Sequence, residues 1–192
     1  MSNLVKASRE LFRRGPDERF ESLNTLWQHR RQDREASCDR WHHPQSFDPR
    51  VEGDTMRLGL GSDGAFALNH WSFSQLCGLC GVSKDTVNRL SPATAGQALR
   101  ETLPSGCKPH QILTSNGLAR SIHGVTYSRL WNADLLALLS EFATDFEPPQ
   151  KGFNGATGLY CGEQDMFCFL IDPLGWTEIG GQQFAPGFFV WN

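Results

Sequence analysis

One dipeptide constrains this chain more than any other feature. Asn116-Gly117 stands between two short runs, QILTS (111–115) and LARSIH (118–123). A two-residue connection of this kind needs positive φ at both positions, which Asn and Gly tolerate, and its twist matches that of two antiparallel strands. An antiparallel ribbon is therefore written into the middle of the sequence, and the remainder must cover it. With 19 Gly and 10 Pro in 192 residues, the other elements are kept short. The apolar share of 39%, with glycine added, is that of an ordinary globular protein with a core of moderate size. A collagen, a coiled coil, a disordered tail and a disulfide miniprotein are excluded by the same composition.

The punctuation divides the chain further. Residues 3–14 read as a short helix ending at Gly15. Pro16 opens a second helix, with Asp17 and Glu18 in its first turn and Arg30, Arg31 and Arg34 near its end, a polarity that complements the helix dipole. Phe20, Leu23 and Trp27 form its apolar stripe, either a docking face for the rest of the protein or a surface for a partner. Residues 36–55 carry two Pro, a Gly and many polar groups and read as a linker. MRLGL (56–60) and AFALN (65–69) suggest two strands around Gly61-Ser62-Asp63-Gly64. Three helical pieces follow: 73–80, Lys84 to about Leu90 capped by Ser83, and a third opened by Ser91-Pro92 and running to about Leu103. Another helix is expected at 132–143, a loop at 144–155, then strands in GLYC, MFCFLID, WTEIG and FFVWN. Strands and helices come in patches rather than in βαβ alternation. The expected class is α+β, a largely antiparallel sheet with packed helices, preceded by a helical N-terminal extension. The expected boundary lies at residue 50, between that extension (1–50) and an α+β domain (51–192).

Charge and cysteines narrow the setting. The net charge is −3, unlike that of a protein that binds nucleic acid over its whole surface. Residues 1–50 hold ten Lys and Arg against eight Asp and Glu, and residues 51–192 hold eight against thirteen. Only the front is basic, with mixed signs. Six Cys lie at 38, 77, 80, 107, 161 and 168. The first twenty residues show no signal-peptide pattern, and the longest apolar runs, Leu135–Leu139 and Met166–Ile171, are too short for a bilayer. A cytoplasmic protein with free thiols and no membrane partner is expected.

Several constellations carry chemistry. FSQLCGLCGVSKDTVNRL (73–90) has the grammar of a helix-turn-helix, with Gly81 at the turn and Ser83 capping the second helix. It resembles the motif of bacterial repressors of the lactose-repressor type. On that resemblance Lys84, Asp85, Thr86, Asn88 and Arg89 would face the major groove. Pro92 cuts the second helix short, which weighs against duplex reading. Cys77-Gly-Leu-Cys80 with Cys38, His42 and His43 has the donor types of a zinc site, but the second half is misspaced, and two small core residues at i and i+3 explain the pair equally well. No cofactor or metal is expected. A nucleophile pair of Cys107 with His110 or His123 has no motif behind it, and the histidines read as surface or loop residues. Gly59-Leu-Gly61-Ser-Asp-Gly64 has the wrong spacing for a phosphate loop. The run from Arg120 through Tyr127 and Arg129 to Trp131 sets cations among aromatics, a pattern that stacks on single-stranded bases and holds phosphates. An ordinary strand edge leading into a helix has the same look.

Three stretches together, GAFALNHWSFSQLCGLCGVSKDTVNRLSP (64–92), LARSIHGVTYSRLWNADLLALL (118–139) and APGFFVWN (185–192), resemble the phage/plasmid-related proteins, a bacterial and viral family of unknown function. The similarity spans roughly 56–192. It implies that 73–90 belong to a shared α+β domain rather than to an independent repressor module, and it implies a mobile-element setting. Members of that family continue past an Asn-Ser-Glu-x-Gly run after a strand like GFFVWN. This chain stops at Asn192 where that run would begin, so on the resemblance it is either a natural short form or a domain truncated at that end.

Three functions stand as expectations. The first is a non-catalytic nucleic-acid-binding protein (DNA or RNA) of phage/plasmid type, with single-stranded DNA the favoured ligand. It would bind through Arg30, Arg31, Arg34, Lys84, Arg89, Arg120, Tyr127 and Arg129. The second is a protein-binding inhibitor of a host defence complex, of anti-CRISPR or anti-restriction type, engaging its partner through the N-terminal helices. The third is a helix-turn-helix binder of duplex DNA. No catalytic residue is assigned under any of them.

Overall fold

The structure, a computed structural model, describes residues 13–106, 108–149 and 158–192. The expected helix at 3–14 and Cys107 therefore lie outside the described residues, the helix all but its last two positions, as does much of the 144–155 loop. The chain divides into two compact units, a central one of Glu35–Arg129 and a terminal one of Met1–Arg34 with Leu130–Asn192. The expected boundary at residue 50 falls instead inside a strand of the central unit.

In the central unit the strands are β1 (Ser37–His42), β2 (Asp48–Glu52), β3 (Thr55–Gly59), β4 (Ala65–Leu68), β5 (His110–Ser115) and β6 (Leu118–His123). Their order is β1-β5-β6-β4-β3-β2, antiparallel throughout except for the β4–β6 pair. The β5–β6 turn uses Asn116 at φ 50 and Gly117 at φ 77, as the dipeptide requires. Between β4 and β5 run α2 (His70–Leu79), α3 (Lys84–Val87) and α4 (Pro92–Thr102). Asn69, Ser83 and Ser91 cap them through side-chain oxygens that accept from Ser72, Thr86 and Thr94 N–H. These helices cover one face of the sheet around Leu58, Leu60, Leu76, Leu99, Ile112 and Ile122. Each such leucine or isoleucine contributes roughly 1.5–3 kcal/mol by leaving water. Gly96 lets α4 lie against β2, since a Cβ there would come within 3.2 Å of the Pro49 carbonyl.

Three expectations are corrected here. Residues 36–55 are not a linker but supply β1 and β2. Both are edge strands, which explains their polarity and lets β2 carry Pro49 without breaking a central ladder. The second front helix does not begin at Pro16. Pro16–Glu18 is a 3-10 turn, Arg19 makes an extended bridge to Tyr160, and α1 runs Leu23–Glu35. Its start is set by Ser22, whose Oγ accepts from Thr25 N–H at 3.1 Å while Thr25 Oγ1 accepts from Ser22 N–H at 3.3 Å. The helix expected at 84–90 stops at Val87.

The terminal unit joins α1 to α5 (Asn132–Phe142), β7 (Leu159–Cys161), β8 (Met166–Ile171) and β11 (Gly187–Trp191), the three strands ordered β11-β8-β7 and antiparallel. A separate hairpin is made of β9 (Thr177–Ile179) and β10 (Gln182–Phe184). Leu26 of α1 is fully buried with Leu136, Leu139, Leu159, Met166 and Leu170, so the α1 stripe serves as a docking face inside its own unit. On β8, Met166, Phe167 and Cys168 are all buried. Burial on both faces explains its unbroken apolar run. Tyr160 and Phe167 stack at 5.4 Å in a second cluster, and the Arg14 guanidinium lies 4.7 Å from the Tyr160 ring centre. Arg14 also pairs with Asp165 at 2.9 Å, a contact between residues 151 positions apart.

Candidate functional site

The site follows from strand alternation. Ile112 and Ile122 are opposite one another and point to the helices. Their neighbours Gln111, Leu113, Ser121 and His123 therefore point the other way. Across β1, Asp39 is opposite Leu113 and Trp41 is opposite Gln111. Residues directly opposite share a face. The face turned away from α2–α4 thus carries two rows, Asp39–Leu113–Ser121 and Trp41–Gln111–His123.

The chain leaving β6 turns at Gly124, where Tyr127 N–H donates to the Gly124 carbonyl at 3.1 Å. That turn lays Tyr127 on His123 with ring centres 3.7 Å apart and planes 14° apart. The Arg129 guanidinium lies 5.3 Å from the Tyr127 ring centre. It also forks onto Asp39, Nη2 to Oδ1 at 3.1 Å and Nε to Oδ2 at 3.4 Å. Burial lowers the pKa of His123, and the Arg129 cation lowers it further against an opposing pull from Asp39. Both effects favour the uncharged form of the ring. Trp41 is 50% exposed and Tyr127 39%. Ser121 Oγ and Gln111 Oε1 are buried without a hydrogen-bond partner. Unpaired buried polar atoms are rare enough in a native fold to call for an explanation. The arrangement offers ring faces and hydrogen-bonding atoms.

Of the eight residues expected to bind nucleic acid, this cluster brings together Tyr127 and Arg129, the latter already paired with a carboxylate. Arg120, half-buried, is the extra residue of a β-bulge in β6, and its carbonyl accepts from Asn69 Nδ2 at 3.3 Å. The front arginines do not form the basic surface read from sequence. Arg30 is buried, bonds to His29 Nδ1 and lies 3.7 Å from Asp33. Arg34 pairs with Asp134 beside the Trp131 ring. Arg31 lies 5.5 Å from the Trp27 ring centre. In the helix-turn-helix, Lys84 Nζ turns back to the His70 carbonyl at 3.2 Å and Ser74 Oγ at 3.1 Å, while Arg89 is exposed and makes no ion pair among the described residues. With α3 a single turn, Lys84 and Arg89 do not sit on a recognition helix long enough to track a groove.

Sequence reasoning gave no site role to Asp39, Trp41, Gln111 and Ser121, and read His123, at the end of the hairpin strand, as an ordinary surface or loop histidine. Their signal is the alternation D-R-W-H in 39–42, visible only once that stretch is a strand paired with 110–115. Cys77 on α2 and Cys80 at its C-terminal end are both buried. Burial pushes the Cys77 thiol up to about 11 and raises Cys80, whose Sγ donates to the Leu99 carbonyl at 3.5 Å. Cys38 lies exposed on β1. No family model, curated protein or solved structure matches this chain.

Proposed function

We propose that the protein is a non-catalytic nucleic-acid-binding protein that takes single strands on the sheet face carrying Trp41, His123 and Tyr127, in a mobile-element setting of phage/plasmid type. The observation that carries this reading is the juxtaposition of two exposed aromatic rings, Trp41 and Tyr127, the second stacked on His123. Every base has a π-face, and stacking on an aromatic side chain contributes about 1–3 kcal/mol per base. The phosphate term is thin, because Asp39 neutralises Arg129. Each phosphate contact to a single strand steepens the salt slope by about 0.7, so a slope near −1 is expected.

The test is fluorescence anisotropy with a labelled oligothymidine of roughly twenty nucleotides and a matching duplex over a salt series. Single strands should bind more tightly than duplex. Changing Trp41 and Tyr127 together to Ala should weaken binding about tenfold or more, while changing Arg120 and Arg129 to Ala should mainly alter the salt slope. Equal or tighter duplex binding, or none to single strands at low salt, overturns the proposal.

One observation favours a second reading, a protein-binding inhibitor of a host defence complex. The terminal unit holds nine Lys and Arg against thirteen Asp and Glu. On or beside its hairpin, Leu174 is 92% exposed, Ile179 63%, and Trp176 and Phe184 are exposed as well. An acidic unit with such a patch suits a protein partner. A pull-down that returns no stable partner counts against it.

A further inference from the structure

On the opposite, helix-covered side of the central sheet lies a cavity of about 470 Å³, walled by the β2–β3 hairpin and by the starts of α2, α3 and α4. That volume is within the usual range for small-molecule sites. Its lining is mostly polar, and Met56, Leu68 and Phe73 supply an apolar floor within it. One end carries Lys84, half-buried, its Nζ 5.8 Å from the Phe73 ring centre. Two of its three N–H donors are used, on the His70 carbonyl and Ser74 Oγ. No carboxylate among the described residues lies within ion-pair distance of it. A cation thus lines a cavity with one donor left. Asp54, at the turn of the β2–β3 hairpin, and Asn88, after α3, also line it, and they offer an acceptor and an amide.

We infer that this cavity binds a small ligand with one anionic head and a flat heteroaromatic body, of the build of a nucleoside monophosphate. The head sits at Lys84, the ring lies over the apolar floor by Phe73, and Asp54 or Asn88 takes ring N–H or sugar hydroxyl groups. A neutral ligand leaves the remaining Lys84 donor without an anionic partner, and inorganic phosphate leaves the apolar floor bare, so each alone binds worse. The inference is independent of the single-strand reading, because it concerns the other side of the sheet and none of the same side chains.

The experiment is calorimetric titration of the full chain with adenosine 5′-monophosphate, adenosine and inorganic phosphate in parallel. The monophosphate should bind at least about tenfold more tightly than either of the others, and Lys84→Gln should abolish its advantage over adenosine. Lys84 also ties α3 to α2, so a second measurement stands beside the variant. The chain has four lysines, and acetylation of the wild-type protein, read by mass spectrometry, should show Lys84 protected by the monophosphate and not by adenosine, with Lys108 unchanged. Equal binding of monophosphate and adenosine, no binding of either, or Lys84 labelling unaffected by the monophosphate overturns the inference. Loss of oligothymidine binding on Trp41→Ala, or its persistence, leaves it untouched.

Discussion

The central unit is drawn from one unbroken stretch of chain and the terminal unit from two. In the central unit neighbours in sequence mostly become neighbours in space: β2 pairs with β3, β3 with β4, β5 with β6. In the terminal unit the decisive contacts are remote. Leu26 packs in one cluster with Leu159 and Leu170, Arg19 bridges to Tyr160, and Arg14 pairs with Asp165. The difference is one of cost as well as geometry, since closing a longer loop costs more chain entropy and must be offset by contacts formed late. The sequence of the central unit therefore speaks through turns and caps, and that of the terminal unit through burial.

The largest expected effects test whether the two units are separate. Leu26 and Leu58 are both fully buried, one in each core. Truncating either to Ala removes about 2–5 kcal/mol of stability from its own unit. Urea unfolding followed by unit-specific hydrogen exchange should show Leu26→Ala loosening residues 130–192 while leaving 35–129 protected, and Leu58→Ala the reverse. If either variant lowers protection equally in both, the division into units is wrong for the molecule in solution.

A smaller effect sharpens the contrast between remote and local support. Ser22 caps α1 in the terminal unit and Ser91 caps α4 in the central one. Replacement by Ala costs about 1 kcal/mol in each case. The losses should appear separately, as a shift of one unit's transition and not the other's. A Ser22→Ala variant of unchanged stability would mean that packing of Leu26, and not the cap, fixes where α1 begins.

The smallest effects lie in pH. His29 of the terminal unit and His123 of the central unit both have pKa values lowered by burial first and a neighbouring arginine second, Arg30 and Arg129 respectively. A histidine whose folded pKa is depressed takes up its proton more readily when unfolded. Stability is therefore unaffected above the ordinary value of 6.5 and declines as pH falls from there to the folded value. Denaturation midpoints measured from neutral to mildly acidic pH should fall in both units. His123→Gln should flatten the central decline alone and His29→Gln the terminal one alone. A decline unchanged in both variants would assign it to other groups.

The class, the β5–β6 hairpin, the strands around 61–64 and the caps of α3 and α4 were legible, the last three because each rests on a residue acting within four positions of itself, whereas the Asn69 cap that starts α2 at His70 rather than at residue 73 was missed. The Ser83 and Ser91 caps and the Asn116-Gly117 turn need no distant partner. β1 and β2 were not legible, since edge strands are half solvated and their polarity imitates a loop. The hairpin strand β10 was missed for the same reason, all three of its residues being exposed. Of the candidate site only Tyr127 and Arg129 were visible, as a cation beside aromatics. That Arg129 would be held by Asp39, 90 positions away, is a property of strand pairing that no local pattern encodes. The front arginines failed for the converse reason. The net charge of the first fifty residues suggested a basic surface there, but carboxylates from the same helix and from Asp134 pair with two of those arginines.

The split origin of the terminal unit has a consequence in time. On the ribosome α1 emerges before any strand it packs against, and residues 35–129 must be made before Leu130 appears. At about 5–20 residues per second, Leu26 then waits roughly 5–20 seconds for its partners, while the central unit already has every strand it needs. During that interval the Phe20, Leu23 and Trp27 stripe is exposed apolar surface on a nascent chain, so α1 is an element in need of a chaperone.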